Sequence, residues 1–484
     1  MLIVLTFTVN AGLNFLLGLC VAAVLGPDSY GRFSIAFAAA LALSMLLFDW
    51  LRLSATRYYT EFTRNTQPSL RASLNASYAF GSVLLGLIAL GVIAFGVDVG
   101  MTTGLVATTA LFTIANGLFE FCGALLRARF RNNAYSWLVI LKNLLAFAGM
   151  VGAGYYFRDP ALVLLMAGLS ALAAAFALWR QAADPGSHLR QASRAQIGVY
   201  LRYGAPIALA NIFYQVIVLA NRSFAAAHVD FAAAGKLSLA TDMTLRLMLT
   251  VGAALDILLF QLAVHRKTTE GEGGAQKQVA SNIIIIFSVL TVLCLGYMAD
   301  MPGFAALIAP QKFRADFASL SFILAPGVTL FCLGQFCLSP IAQLEGRTTR
   351  VFFVGLATAG LDLGLLRLAA PKDLAAYAAI HSACLAANFV LMIGLTWRWR
   401  AYWPGVRDLA AILFAGFCSA VAMAPLRNLD PPLLALLLTA AVGTGVYLLA
   451  LYALDPGQLI RPAIARLRAK VPLLLGRPET AVGP

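Results

Sequence analysis

The sequence predicts an all-α integral membrane protein of about fourteen transmembrane helices, arranged as two parallel six-helix bundles with two helices added at the C-terminal end. Three observations carry this reading. The chain is 61% hydrophobic and 12% charged, whereas a soluble domain is about half apolar and about a quarter charged. Apolar runs of near 20 residues alternate with short charged loops along its whole length, the pattern of helices that cross a bilayer. A short phrase, "GRFSIA" at 31–36, returns as "GKLSLA" at 235–240, 204 residues later. The ten-residue segments of alternating polarity that mark a membrane barrel do not occur.

The elements follow in order. Segments 1 to 6 cover 2–25, 33–53, 77–97, 102–126, 134–156 and 161–179. Segments 7 to 12 cover 203–224, 236–262, 281–299, 317–340, 350–369 and 374–396, and segments 13 and 14 cover 408–426 and 432–452. Segment 1 is too long for a signal-peptide core, lacks a basic lead-in and runs into "GPDSYG" rather than a small-residue cleavage site, so it reads as a retained helix. The longest connections are 54–76, 180–202, 263–280 and 300–316, which leave no room for a soluble domain. The predicted organisation is a first bundle at 1–180, a cytoplasmic linker at 181–202, a second bundle at 203–397, two further helices at 398–452 and a basic tail at 453–484. In the tail, "IRPAIARLRAKVPLLLGRP" mixes basic and apolar residues at helical spacing and is expected to lie along the cytoplasmic face of the bilayer.

Charge gives the orientation. Loops after even-numbered segments, with the tail, hold 24 of the 35 basic residues, and loops after odd-numbered segments hold eight. Basic residues concentrate on the cytoplasmic side of membrane proteins, so the even loops and both termini are expected in the cytoplasm. The net charge of +14 is on this reading a topology signal and does not point to nucleic acid. All seven cysteines (Cys20, Cys122, Cys294, Cys332, Cys337, Cys384 and Cys418) lie in apolar runs without metal-ligand spacing. They read as small buried hydrophobes. The four histidines form no cluster in the sequence.

The repeated phrase opens segments 2 and 8, each time after a short outer loop with one Asp, Asp28 or Asp230. Six crossings separate the two copies. An even number preserves orientation, so the halves form a parallel repeat about an axis along the membrane normal. Segments 1, 2, 7 and 8 are then expected to face one another. The phrase itself reads as a register mark without chemistry, with Arg32 and Lys236 at the headgroup level.

Three basic residues fall inside apolar segments, Lys142, Arg222 and Arg246, with Asp49, Glu120, Asp242, Asp256 and Asp362 as the acids. A charge near the bilayer centre costs at least ~2.5–3.5 kcal/mol and normally faces a bundle interior or a watery path. On segment 8, Asp242, Arg246 and Asp256 fall within about 80° of one another at 100° per residue, and Ser238 shares their stripe. On segment 7, Asn211, Gln215 and Arg222 fall within about 40°. Segment 1 carries Thr6, Asn10 and Asn14 at spacings of four. Two blander roles stand beside these: Asp242 and Arg246 at i, i+4 neutralise each other, and Arg222 snorkels to the interface. Asp49 and Arg52 read as a cap or interface pair.

"LGPDSYGRFSIAFAAALALSMLLFDWLRLSATRYY" resembles the opening of the Wzx-type polysaccharide-biosynthesis flippases of the multidrug/oligosaccharidyl-lipid/polysaccharide exporter superfamily. "RYGAPIALANIFYQVIVLANRSFAAAHVDFAAAGKLSLA" resembles the start of that family's second bundle, and "LSPIAQLEGRTTRVFFVGLA" its turn between helices 10 and 11. The likeness covers roughly positions 10 to 400 and identifies a fold and a broad role, not a substrate. Pairing Gly31 with Gly235 sets Met1 against Ala205, where the second bundle already has a lead-in, "YLRYG"; either a start upstream of Met1, the favoured expectation, or a segment 1 without that lead-in accounts for the difference. The resemblance implies that segments 1, 2, 7 and 8 line a central cavity, and that the cargo is an oligosaccharide on a polyprenyl pyrophosphate. It also implies alternating access by rocking of the bundles. A pyrophosphate needs fixed cations in a low-dielectric site, and the planar fork of arginine suits it. Arg246 and Arg222 are the first candidates, then Arg52 and Lys142. Asn211, Gln215, Ser238 and Asn14 are candidates for the sugars. Asp242, Asp256 and Asp49 are candidate charge partners or carriers of a coupling H⁺ or Na⁺. No cofactor or metal is expected. The expected partners are the lipid-linked glycan, membrane lipids and other polysaccharide assembly proteins, with a monomer as the working unit.

Two other functions compete. A multidrug exporter of the same superfamily would carry cationic cargo and favour carboxylates in its cavity. A membrane glycan polymerase or glycosyltransferase would need catalytic groups on a sizeable outer loop. The outer loops are short, and the sequence holds no carboxylate pair, phosphate-cradling glycine loop or metal cluster.

Overall fold

The computed structural model describes residues 2–184, 186–427 and 429–462. The tail beyond 462, expected along the cytoplasmic face, lies outside the described residues. Among these residues the secondary structure is helical, with no strand. Eleven helices are long and apolar enough to cross a membrane, and a bent pair, Arg194–Leu209 and Ile212–His228, makes a twelfth span. Two of the eleven exceed one crossing: Gly12–Tyr58 turns at Gly26 and Phe231–Ala299 turns at Gly271, which brings the spans to fourteen. A helix of 69 residues rises about 100 Å at 1.5 Å per residue, far beyond a hydrocarbon core of about 30 Å. The chain is a multi-pass membrane protein.

Sequence punctuation explains where helices start. Pro68, Pro160 and Pro432 stand in the first turn of Pro68–Ala94, Pro160–Ala177 and Pro432–Leu454, where a missing N–H costs nothing. Asp159 caps the second of these by accepting from the Ala161 N–H at 2.8 Å. Gly26 (φ 74°) takes the left-handed backbone that lets segment 1 turn into segment 2. Segment 2 carries a π-turn at Met45–Asp49 just before Trp50–Tyr58; such a wide turn shifts the facing of the residues beyond it.

The chain divides into two compact units. One holds Met1–Arg246, Ile308–Leu324 and Thr349–Asn388; the other holds Leu247–Leu307, Ala325–Thr348 and Phe389–Pro484. In the first, Phe48, Leu51, Leu74, Phe121, Leu125 and Tyr200 form one buried cluster, and Phe119, Leu126, Leu138 and Ala171 anchor another. In the second, Ile284, Ile412, Ala415, Tyr447 and Leu451 pack segments 9, 13 and 14 together. Large apolar side chains face outward along segment 3 (Phe80, Leu87, Leu90) and segments 13 and 14 (Phe414, Phe417, Leu449). In water such surface is a liability; in a bilayer it is the lipid contact.

Candidate functional site

The four helices that the repeat sets face to face do meet, and the repeated phrase is where they touch. A Cβ on Gly31 would overlap the Phe231 carbonyl oxygen and stand 3.0 Å from the Gly235 nitrogen. A Cβ on Gly235 would overlap the Pro27 carbonyl oxygen and stand 2.9 Å from the Gly31 nitrogen. Backbone lies on backbone, a contact only glycine permits. One turn further along, the buried Ser34 and Ser238 hydroxyls lie 2.9 Å apart, and each also donates to, or lies within bonding distance of, its own helix backbone. Around this junction Arg32 pairs with Asp28 at 3.1 Å and stands 3.9 Å over the Phe231 ring, while Lys236 pairs with Asp316 at 2.8 Å. The phrase is thus more than a register mark. It also relocates Ser238: at 0% exposure, its hydroxyl is committed to the junction and does not line a path for sugars.

Below the junction lie the intramembrane charges. Arg222 is 4% exposed, so it does not snorkel. One of its nitrogens donates to the Ser34 carbonyl at 3.0 Å and another to the Asp242 carboxylate. Asp242 is therefore neutralised by segment 7, and not by Arg246 four residues on. Arg246 instead crosses to segment 1, where it donates to the Asn14 carbonyl. That leaves Arg246 without a carboxylate partner among the described residues. Lys142 on segment 5 is also unpaired by that measure; its ammonium stands 5.4 Å from the Phe119 ring centroid. Asn14 donates to the Asn10 backbone and side chain at 2.8 Å, and Asn143 donates to the same Asn10 oxygen. The polar stripe of segment 1 is thereby fastened to segment 5.

These groups border a partly open cavity of about 150 Å³. Its polar lining is Asn14, Tyr30, Ser34, Asn116, Lys142, Arg222, Asp242 and Arg246. Three cations face one carboxylate. A second cavity of about 280 Å³ shares Leu41 and Asn116 with the first and is lined further by Ser44, Asp49, Arg52 and Glu120. Arg52 and Asp49 form an ion pair there, so they border a polar chamber and do not serve only as a cap. The two chambers adjoin at Leu41 and Asn116 within the first unit, with the Arg222–Asp242 pair lining one and Arg52 the other. The π-turn at Met45–Asp49 delivers Asp49 and Arg52 to the second chamber.

Other candidates fall elsewhere. Asp256, on the same calculated stripe as Asp242 and Arg246, belongs to the second unit. It lines a narrow cavity with Asn282, Phe336 and Cys337. The 14-residue separation between Asp242 and Asp256 along one helix dilutes a stripe drawn at a fixed 100° per residue. Gln215 borders neither chamber. The Asn211 side chain lies outside the described residues. The residues that the sequence reading missed are Tyr30, Ser34, Asn116 and Asn143. Asn116 and Glu120, at a spacing of four on an otherwise apolar segment 4, were the available signal.

At the end that carries the basic loops, the second unit holds a polar knot. The Tyr402 hydroxyl lies 2.7 Å from both the Glu272 and Glu345 carboxylates, and Lys267 reaches Glu272 at 3.1 Å and the Leu344 carbonyl at 2.8 Å. Hydrogen bonds from Tyr402 and Lys267 hold the Glu272 carboxyl below its ordinary value. Burial and the two carboxylates push the Tyr402 phenol up.

No protein-family model matches the chain, and no curated protein matches it in sequence. Solved structures do match. The fold is similar to that of lipid II flippase MurJ in an inward closed conformation, with TM-score 0.74 and 11% identity over 93% of this chain and 97% of that one. It is similar to an inward-facing multidrug resistance MATE family transporter of the MOP superfamily, with TM-score 0.61 and 16% identity over 84% of this chain and 96% of that one. It is also similar to a MOP superfamily transporter from Pyrococcus furiosus described by the reverse polarity of its binding pocket, with TM-score 0.58 and 15% identity over 85% of this chain and 96% of that one. The chain therefore has the fold of the MurJ flippase and the MATE transporters.

Proposed function

We propose that this protein is a flippase of Wzx type, which moves a polyprenyl-pyrophosphate-linked oligosaccharide across the bacterial inner membrane by alternating access. One observation carries the reading: the chamber holds Arg222, Arg246 and Lys142 against the single carboxylate of Asp242. A net positive chamber in low dielectric suits an anion. One structural neighbour is named for flipping lipid II and another for multidrug resistance, and the charge balance supports the anionic kind of cargo. A cationic drug would meet two unpaired cations.

The chamber of about 150 Å³ holds about five waters at ~30 Å³ each. That is room for a phosphate-sized group and not for a glycan. In this reading the structure is a state in which the junction at Gly31 and Gly235 shuts the outer end. Cargo enters when the chamber at Arg52 widens, its pyrophosphate meets Arg52 and then Arg246 and Lys142, and parting of the junction releases it outside. Arg222 serves mainly to hold Asp242 and Ser34. The polyprenyl tail stays in the lipid.

The test is accumulation. Deleting the gene should trap lipid-linked glycan on the cytoplasmic leaflet and deplete surface polysaccharide, and drug susceptibility should not change. Unchanged glycan levels with a gain in sensitivity to cationic drugs would favour a multidrug exporter. In complementation, Arg246→Ala should abolish export at normal membrane levels and Arg246→Lys should restore part of it. Full activity of Arg246→Ala would remove the cation from the mechanism.

A further inference from the structure

Arg71 stands near the start of Pro68–Ala94 and is 1% exposed. Its Nε and Nη1 atoms are buried and have no hydrogen-bond partner, and it forms no ion pair among the described residues. Two rings flank it. Its guanidinium carbon lies 5.0 Å from the Phe121 ring centroid and 5.6 Å from that of Tyr59. A ring face attracts a cation but offers no oxygen to an N–H. A buried charge without hydrogen bonds is costly, so these two nitrogens call for an explanation.

The neighbours do not supply one. The charged groups around Tyr59 are Arg71, Arg129, Arg64 and Asp184. Asp184 is the one carboxylate in that group, and it is taken: the Tyr59 hydroxyl donates to it at 3.2 Å, and Arg64 Nε stands 3.8 Å from the same oxygen. Arg129, which ends segment 4 and is 7% exposed, adds positive potential beside Arg71. It also donates from Nη1 to the Gln181 carbonyl at 2.8 Å. The Ser187 hydroxyl, buried and without a partner, sits on the turn that Asp184 opens. Further along, the Ser193 N–H donates to the Ser73 hydroxyl at 2.9 Å. The same cluster therefore holds the start of the linker between the two bundles.

We propose that Arg71, with Arg129 beside it, binds a small inorganic anion of chloride size at the basic-loop end of the first unit. The site lies apart from both chambers, which none of these residues lines. At 1% exposure, Arg71 is out of reach of a lipid headgroup or a nucleotide. The anion accepts charge-assisted hydrogen bonds from Nε and Nη1 and offsets the positive potential, which fastens 181–193 to segments 3 and 4. No covalent bond forms or breaks, and the site does not depend on the flippase reading.

The test is hydrogen exchange of the purified full chain in detergent at constant ionic strength, with chloride against gluconate, which is too large for the site. Amides in 181–193 should exchange about tenfold more slowly when chloride reaches about ten times its Kd. Arg71→Met should abolish the response, and Arg246→Ala, in the cationic chamber, should keep it. Asp184→Asn keeps an acceptor for Tyr59 and removes a charge that repels the anion. Its half-maximal protection should therefore come at a chloride concentration at least about threefold lower. That variant decides the matter if Arg71→Met does not fold. Protection at unchanged or higher chloride in Asp184→Asn would make Asp184 the real partner of the arginines and overturn the proposal. So would exchange that ignores chloride in the wild type, which would mean that water serves Arg71, or a full response in folded Arg71→Met. Protection by phosphatidylglycerol in mixed micelles and not by chloride would make this a headgroup site and also overturn it. Cargo is absent from every arm, so failure here leaves the transport reading standing, and failure of glycan accumulation leaves this site standing.

Discussion

Replacing Gly31 with Ala should prise the outer junction apart. The new Cβ would overlap the Phe231 carbonyl oxygen, a backbone atom that cannot rotate away. The helices must part by about 1 Å, and forcing an extra methyl into a packed contact costs about 1–3 kcal/mol. Parting also stretches the Ser34–Ser238 bond, now 2.9 Å and buried, which adds about 1 kcal/mol. The better helix propensity of Ala acts equally in states with the junction open or shut, so it cancels. The shut state therefore loses about 2–4 kcal/mol relative to the open one, a shift of about 30-fold to several hundred-fold at 1.4 kcal/mol per decade. The assay is labelling of Ser34→Cys by a membrane-impermeant maleimide added outside, in a background with the native cysteines replaced. Ser34 is 2% exposed, so the parent should label slowly. Because Ser34→Cys already lacks the serine bond, only the packing cost of about 1–3 kcal/mol acts in this background, and Gly31→Ala should raise the rate by about fivefold to about a hundredfold. Gly86→Ala, where an added Cβ meets nothing within 4 Å, should not. An unchanged rate at normal membrane levels would refute the reasoning, because the two backbones would then have room that the geometry denies them.

Further predictions concern the charges. Arg222→Met should cost about 3–5 kcal/mol by stranding Asp242, and a paired Asp242→Leu should recover most of it; additive losses in thermal unfolding would show that the pair is not coupled. Lys142→Ala should weaken binding of inorganic pyrophosphate to the purified protein at low salt, and added salt should weaken it less in the variant than in the parent. Tyr402→Phe should loosen the knot by about 1–3 kcal/mol, seen as faster proteolysis within 263–280. Acid should act on the same place. The Glu272 carboxyl is held below its ordinary value of 4.5, so its stabilising share is complete above that value and fades as pH falls through the lower folded value. Because Glu272 is largely exposed the effect is small, and protease sensitivity of this loop should rise only below about pH 4.5.

The fold was legible because apolar runs and basic loops are written into consecutive residues, and because one phrase repeated at the same topological point. The facing of segments 1, 2, 7 and 8 followed from that repeat alone. Partnerships were less legible. Helical spacing brought Asp242 and Arg246 to one face, yet their partners, Arg222 and the Asn14 carbonyl, come from other segments at separations that no periodicity encodes. Asp256 failed for the opposite reason, since an ideal stripe was extended along a helix that the fold divides between two units.

The bond between Ser34 and Ser238 joins two positions 204 residues apart, which is the offset of the repeat itself. Each serine is bonded to its own counterpart. That is the signature of an isologous interface, in which a surface element meets its own copy on a two-fold axis. The junction is therefore built like the seam of a homodimer whose subunits have been joined end to end. Residues on such a seam are constrained twice over. A change in one copy of the phrase alone breaks a self-match, so tolerated changes at Gly31, Ser34, Gly235 and Ser238 should come in pairs.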